Sequence, residues 1–311
     1  MSTISAIADY IEHNRCLGKR FASNAAVLTA FGRSVGNVPL RDIRPTMISR
    51  FLKHNSASGV TVSKYHSVLE GFFRFAVTRG RLRASPMPTC ERKRGVAPHT
   101  PYIYSEAELK RIIAAVPAAT GPRSDIDSDT LRTFLLLLYG AALRRGEARR
   151  LKLEDVDFPQ SLIHIRGTKF FKTRIVPLST TLNTVIKEFS AKQCKGSVKA
   201  VGKMLFSKRD GTPLTDSAIN AAFRRVRTIA GIKRDGGARN QPRLHDLRHS
   251  AAVHRVTSWY RSGADLNGLL PKLATYLGHK DLSGTQRYLS MTQELLAEAS
   301  RRFEVFTGRP S

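Results

Sequence analysis

Acidic side chains are scarce in this 311-residue chain: 24 Asp and Glu stand against 52 Lys and Arg, a formal charge of +28. A globular protein seldom carries that much self-repulsion unless a polyanion relieves it. Nucleic acid is the leading partner, because cations that neutralise phosphates release counterions; a membrane surface and an RNA scaffold are the blander alternatives. Cysteine is also scarce. Cys16, Cys90 and Cys194 lie far apart without CxxC spacing, which argues against a zinc ribbon or a disulfide framework and for reduced thiols. No signal peptide is evident, and the apolar run LLLLY at 135–139 is far too short to span a bilayer. A cytoplasmic protein with no membrane partner is the expectation. Acidic clusters of the kind a two-metal nuclease needs are lacking, as are internal repeats and low-complexity tracts. His245, His249 and His254 invite a metal reading, but HDLRH lacks the glutamate of HExxH. The chemistry calls for no metal and no other cofactor.

An apolar fraction of 41% supports real cores, and the length suggests two domains. Both parts are basic: 16 cationic against 5 acidic residues in 1–100, and 36 against 19 in 101–311. That fits a clamp better than a single patch. Residues 1–84 read as a small all-α domain. Ile4, Ile7 and Ile11 share one helical face, Val27, Leu28 and Phe31 another, and a short helix starts near Pro45. A longer helix from Ser58 to Arg79 buries Val62, Tyr65, Leu69, Phe72, Phe73 and Ala76. Lys64 and Arg74 lie off that stripe, facing phosphate or plain solvent. The proline-rich, basic stretch 85–101 reads as a linker.

Residues 102–311 read as a mixed α+β domain. Ser105 and Glu108 form a capping box. Asp129–Tyr139 is a strongly apolar helix ended by Gly140. LEDVDF, LIHIRG and RIVPL alternate as strands, the last two flanking GTKFFK. Helices follow over Thr180–Ala191 and Thr215–Ala230, the second with Phe223 and Val226 inward and Arg224, Arg225 and Arg227 mostly outward. Another helix, from Leu269, stops at Gly278. Residues 292–306 form an amphipathic end helix.

The chemistry-bearing residues suit a phosphodiester. Its transition state spreads negative charge over two oxygens, which the planar fork of arginine matches; Arg144 and Arg248 are the candidates. His245 lies three residues before Arg248 and shares its helical face. Glu147 either holds the Arg144 guanidinium or merely solvates the turn. Tyr288 is a candidate nucleophile whose attack leaves a phosphotyrosine link, conserving the bond energy for rejoining. Ionising a free tyrosine at pH 7 costs roughly 4 kcal/mol, which neighbouring cations and His279 help to supply. The departing sugar oxygen needs a proton, and Lys169, on the hairpin, can give it.

In combination, LRRGE, the hairpin lysine before IVPL, LHDLRHS and LGHKDLSGTQRYL are specific. The chain resembles the tyrosine recombinase (phage integrase) family over nearly its whole length, most strongly from Phe134 to Tyr288. The resemblance implies catalytic roles for Arg144, Lys169, His245, Arg248, His279 and the nucleophile Tyr288, with Glu147 supporting. It implies a SAM-like core-binding domain and a catalytic domain forming a C-shaped clamp on double-stranded DNA. It further implies a 3′-phosphotyrosine intermediate and a Holliday junction, with four protomers on two DNA sites, the protein being a monomer or dimer in solution, and possible accessory proteins. The end helix docks on a neighbouring protomer or within its own chain. A bacterial or phage mobile-element origin and nucleoid association follow.

Some positions depart from the family pattern. Arg145 adjoins Arg144, and the spacing to Glu147 selects Arg144. Ala142 stands where relatives usually carry glycine. Lys169 is preferred over Lys172 in GTKFFKTR. The long stretch between Arg248 and Gly278 looks more like transposon and integrative-element relatives than chromosome-dimer resolvases. No arm-binding domain is expected ahead of residue 1. Arg20, Lys64, Arg224 and Arg239 are candidates for DNA contact. The rival readings are a type IB topoisomerase-like enzyme and a DNA-binding regulator that has lost its chemistry.

Overall fold

The computed structural model describes residues 1–19, 21–55, 59–88, 100–166, 173–194, 202–237, 240–279, 281, 283–286, 288 and 300. The chain divides into two compact units, the first within residues 1–98 and the second beginning at residue 99.

The first unit is helical: α1 Thr3–Cys16, α2 Ala22–Val35, a 3-10 turn Leu40–Asp42, α3 Pro45–His54 and α4 Gly59–Thr78. Helix α1 is capped by the Ser2 side chain, which accepts from the Ser5 N–H. Proline opens α3, where its missing N–H costs nothing. The predicted α4 stripe is met over its later turns: Leu69, Phe72, Phe73 and Ala76 are buried against Leu28, Phe31, Ile48 and Phe51, with Tyr65 packed at the edge, whereas Val62, a turn from the open end of the helix, is only half-buried. Fully burying each such aromatic ring contributes roughly 1.5–3 kcal/mol. The α1 stripe differs from expectation. Ile4 is 51% exposed, while Thr3, Ala6 and Ile7 are buried. The buried face is set by the Thr3 hydroxyl, which donates to the Val38 carbonyl and turns residue 4 outward.

The second unit holds α5 Glu106–Ala119, α6 Ser128–Gly140, α7 Arg145–Arg149, a 3-10 turn Leu153–Asp155, β1 Val156–Asp157, β2 Leu162–Ile165, β3 Arg174–Pro177, α8 Thr180–Cys194, α9 Asp216–Ile229, α10 Asp246–Arg261, α11 Leu266–Leu277 and α12 Ser283–Gln286. The sheet is antiparallel in the order β1-β2-β3, with Ile163 opposite Val156 and Val176. LEDVDF is mostly not strand. The Asp155 carboxylate accepts from the Lys152 N–H and curls the segment into a 3-10 turn, leaving a two-residue β1. The Ser105–Glu108 capping box is present at both hydrogen bonds. Helix α6 is central: Leu131, Phe134, Leu135, Leu137 and Leu138 are all buried, while its polar residues Asp129 and Arg132 lie in the first turns, with Arg132 exposed.

Gly140 does not stop α6 by a left-handed turn. It is the last helical residue, and Ala142 takes the left-handed backbone at φ 47°. For a residue with a Cβ that conformation costs roughly 1–2 kcal/mol. Helix α11 ends as expected, with Gly278 at φ 67° in a left-handed cap. Among the described residues, no helix is long and apolar enough to cross a membrane.

Candidate active site

The end of α11 organises the site. At a helix C-terminus the last carbonyls lack intrahelical partners and carry the negative end of the helix dipole. Two are closed by the chain itself, as the N–H groups of Gly278 and His279 donate to Thr275 and Ala274. The next three carbonyls receive three arginines from three elements. Arg174 of β3 donates through Nε to Tyr276 O at 3.0 Å. Arg248 of α10 donates through Nη2 to Leu277 O at 2.5 Å. Arg144, just before α7, donates through Nη2 to Gly278 O at 2.6 Å. Arg248 is 2% exposed and also reaches Ala142 O through Nη1 at 2.5 Å. The strained Ala142 thus presents its carbonyl to this buried guanidinium.

Glu147 neutralises the cluster. Its Oε1 accepts from Arg144 Nη1 at 2.8 Å and from Arg174 Nη1 at 2.9 Å. Its Oε2 accepts from the Arg144 N–H at 2.9 Å and from Arg174 Nη2 at 2.8 Å. Burial opposes the charge of Glu147, but the hydrogen bonds and charge of Arg174, and then those of Arg144, outweigh it and hold the carboxyl down to about 2. Of the two readings of Glu147, the geometry is that of a holder for Arg144. Arg145 turns the other way, donating to Asn220 and Asp216 of α9.

Tyr288 is 2% exposed and packs with Ala142, Val253, Val256, Leu273 and Leu277. Its hydroxyl lies 3.2 Å from His249 Nδ1. The His279 ring stacks on the Tyr288 ring at 6.1 Å between centroids, and its Nδ1 lies 2.7 Å from the buried Thr285 hydroxyl, which orients it. His245 stands at the N-terminal boundary of α10, its ring edge-on to His249 at 4.7 Å. Arg248 feels the charge of both Arg144 and Tyr288. Arg144, His245, Arg248, His279 and Tyr288, expected from sequence to act together, are therefore gathered within one chain.

The cluster is electropositive. His245 is surface-exposed, yet the protein around it desolvates the ring, and Arg248, Arg144 and Arg145 add repulsion, drawing its pKa down to about 4. Burial, then Arg248 and Arg144, pull His279 down to about 4 as well. Burial, with Arg144 next, pushes Arg248 down to about 10. Such a site prefers neutral imidazoles until an anion arrives. Among the described residues, no three His, Cys, Asp or Glu side chains are grouped to hold a metal ion.

Lys169 and Lys172, Arg20, Arg239, the linker from 89 to 99 and, apart from Ser300, the end helix 292–306 lie outside the described residues. Lys64 on α4 and Arg224 on α9 are exposed. Arg225, also exposed, and the half-buried Arg227 donate to the backbone carbonyls of Ala119 and Pro242. Two site residues escaped the sequence reading. Arg174 opens the RIVPL strand, which the sequence marks only as a strand, and His249 stands out in the sequence only as one of three histidines that invite a metal. The one available signal was the HxxRH spacing, which puts His245, Arg248 and His249 on a single helical face.

This constellation, on a helix-rich unit with a small antiparallel sheet, has a family. The phage integrase family model matches residues 104–294, and the chain belongs to that family, the tyrosine recombinases. Among its relatives, the putative integrase/recombinase y4rE of Sinorhizobium fredii is 33% identical over 295 residues, covering 94% of this chain and 93% of that protein. Tyrosine recombinase XerC of Oceanobacillus iheyensis is 29% identical, covering 90% and 87%. In fold, the chain is similar to the Tn1549 transposon integrase in complex with a circular intermediate DNA, with a TM-score of 0.68 at 16% identity over 97% of this chain and 99% of that one.

Proposed function

We propose that the protein is a site-specific DNA strand-transferase that cleaves and rejoins double-stranded DNA through Tyr288. The observation that carries this reading is the gathering of Arg144, Arg248 and Tyr288 at one helix terminus, with His249 and His279 against the phenol. A phosphate entering there meets the positive charge of two positioned guanidinium groups, and removing one such preorganised group typically costs about 100- to 1,000-fold in rate. Tyr288 attacks phosphorus and forms a 3′-phosphotyrosine bond, while Lys169 protonates the departing 5′ oxygen. The roles need no metal: the guanidinium groups supply the positive charge and the lysine the proton. The freed 5′-hydroxyl of a partner duplex then reverses the step, and two exchanges pass through a Holliday junction.

In this reading residues 1–84 are the core-binding domain, 85–101 the linker and 102–311 the catalytic domain. The two domains clamp the duplex, and four protomers act on two sites. Lys64 and Arg224, exposed on their helices, join Arg20 and Arg239 as phosphate contacts. Integration or excision of a mobile element, in a bacterial cytoplasm, is the biological setting that fits the long Arg248–Gly278 segment.

The test is a library of nicked duplexes with randomised cores, incubated with the protein so that covalent adducts are captured and sequenced. A sequence-selective adduct that is lost in Tyr288→Phe is the expected result. Adducts on any sequence, with plasmid relaxation and no recombinant product, would favour a topoisomerase. Absence of adduct with tight DNA binding would favour a regulator.

A further inference from the structure

We propose that His249 is the group that takes the phenolic proton of Tyr288 as its oxygen attacks phosphorus. The inference rests on the recombinase reading above and adds a catalytic residue to it. A general base must lie within hydrogen-bond reach of the proton it removes, and His249 Nδ1 is 3.2 Å from the Tyr288 hydroxyl. The two rings are tilted by 55° with centroids 5.7 Å apart, so the contact is between the polar edges. His279 offers the phenol a ring face, with its own Nδ1 beside Thr285. Arginine cannot serve, being always protonated. His245 is one helical turn before His249 and meets it edge-on, which leaves it for the phosphate together with Arg248.

The step balances as follows. With its ring proton on Nε2, His249 presents the Nδ1 lone pair. The Tyr288 O–H bond breaks and the proton joins Nδ1, giving an imidazolium. The phenolic oxygen's electron pair forms the O–P bond, and the pair of the P–O bond to the sugar leaves with the sugar oxygen, which takes its proton from Lys169. In religation His249 returns the proton to the phenolic oxygen. The charged and titratable groups around the pair are His245 and Arg248 on α10, Arg144 and Glu147 at α7, Arg174 on β3, and His279 and Asp281 after α11.

The experiment follows adduct formation on the captured duplex in single turnover, across pH, for the unaltered chain, His249→Asn, His249→Ala and Tyr288→Phe. Asparagine keeps an acceptor near the Nδ1 position but cannot hold the proton. His249→Asn is expected to slow cleavage by about 100-fold or more, with DNA affinity and melting temperature unchanged. Its rate should go on climbing with pH where the rate of the unaltered chain has levelled. A bridging sulfur in place of the 5′ oxygen leaves without a proton, so it should rescue Lys169→Ala and not His249→Asn. A wild-type rate and profile in His249→Asn, or its rescue by the sulfur substrate, overturns the proposal.

If the asparagine variant does not fold, the chain with only Tyr288 replaced by 3-fluorotyrosine decides. An acid limb that stays in place supports a separate base, and one that moves with the phenol's acidity refutes it. No adduct with the unaltered chain sinks the recombinase reading itself, whereas an adduct lost in Tyr288→Phe but untouched in His249→Asn sinks the role of His249 alone.

Discussion

Replacing Glu147 with glutamine tests the electrostatic centre of the site. The carboxylate is buried and bonded to both Arg144 and Arg174. Arg174 is itself only 11% exposed along its side chain, so the substitution strands a cation beneath the α11 terminus. The difference between an ordinary 4.5 and about 2 for this carboxyl, at about 1.36 kcal/mol per pH unit, corresponds to roughly 3 kcal/mol. Breaking one side of a buried pair costs about 3–5 kcal/mol by the general rule, and the two figures agree. Because the folded pKa is depressed, the contribution is fully present above pH 4.5 and is lost as pH falls from there through about 2. Trp259, the single tryptophan, packs beside the Tyr288 cluster, so its fluorescence during urea unfolding reports on this unit. Glu147→Gln should unfold at markedly lower urea at pH 7 and should lose the steep stability change between pH 4.5 and 2. An unchanged midpoint, or an identical pH dependence in the variant, would refute the argument.

Other outcomes follow from the same geometry. Ala142→Gly relieves a left-handed backbone at φ 47° and should stabilise the protein by about 0.5–1 kcal/mol after the unfolded-chain entropy is subtracted, read as a rise in the thermal midpoint. Gly278→Ala places a Cβ 2.9 Å from Arg174 Nη1 at φ 67°; it should cost more than about 1 kcal/mol and slow DNA cleavage together with it, seen by melting and adduct assays. His245 and His279, both held down to about 4, make the free protein less stable as pH falls from 6.5 towards 4, because the unfolded chain binds protons the folded one refuses. A bound phosphate favours the imidazolium, so DNA binding should take up protons in that window, detectable by calorimetry in buffers of different ionisation enthalpy.

Much of this was legible in the residues. Local rules found the Ser105–Glu108 cap, the Gly278 stop and the α4 stripe, because each depends on neighbours within a turn or two. The gathering of Arg144, His245, Arg248, His279 and Tyr288 was legible because all five sit in short motifs. Ile4 failed because a side-chain hydrogen bond from Thr3 to Val38, far away in sequence, set the rotation of α1. Arg174 and His249 failed for a similar reason. The first finds Glu147 twenty-seven residues back and Tyr276 a hundred and two ahead, and the second finds Tyr288 thirty-nine ahead. No periodicity encodes such meetings.

Because the carbonyls of Tyr276, Leu277 and Gly278 seat Arg174, Arg248 and Arg144 in turn, and Leu277 also packs in the cluster that holds the Tyr288 ring, one helix end bears on both the guanidinium groups and the phenol. A displacement at the end of α11 would therefore loosen one seat of each of the three arginines and shift the packing around the Tyr288 ring together.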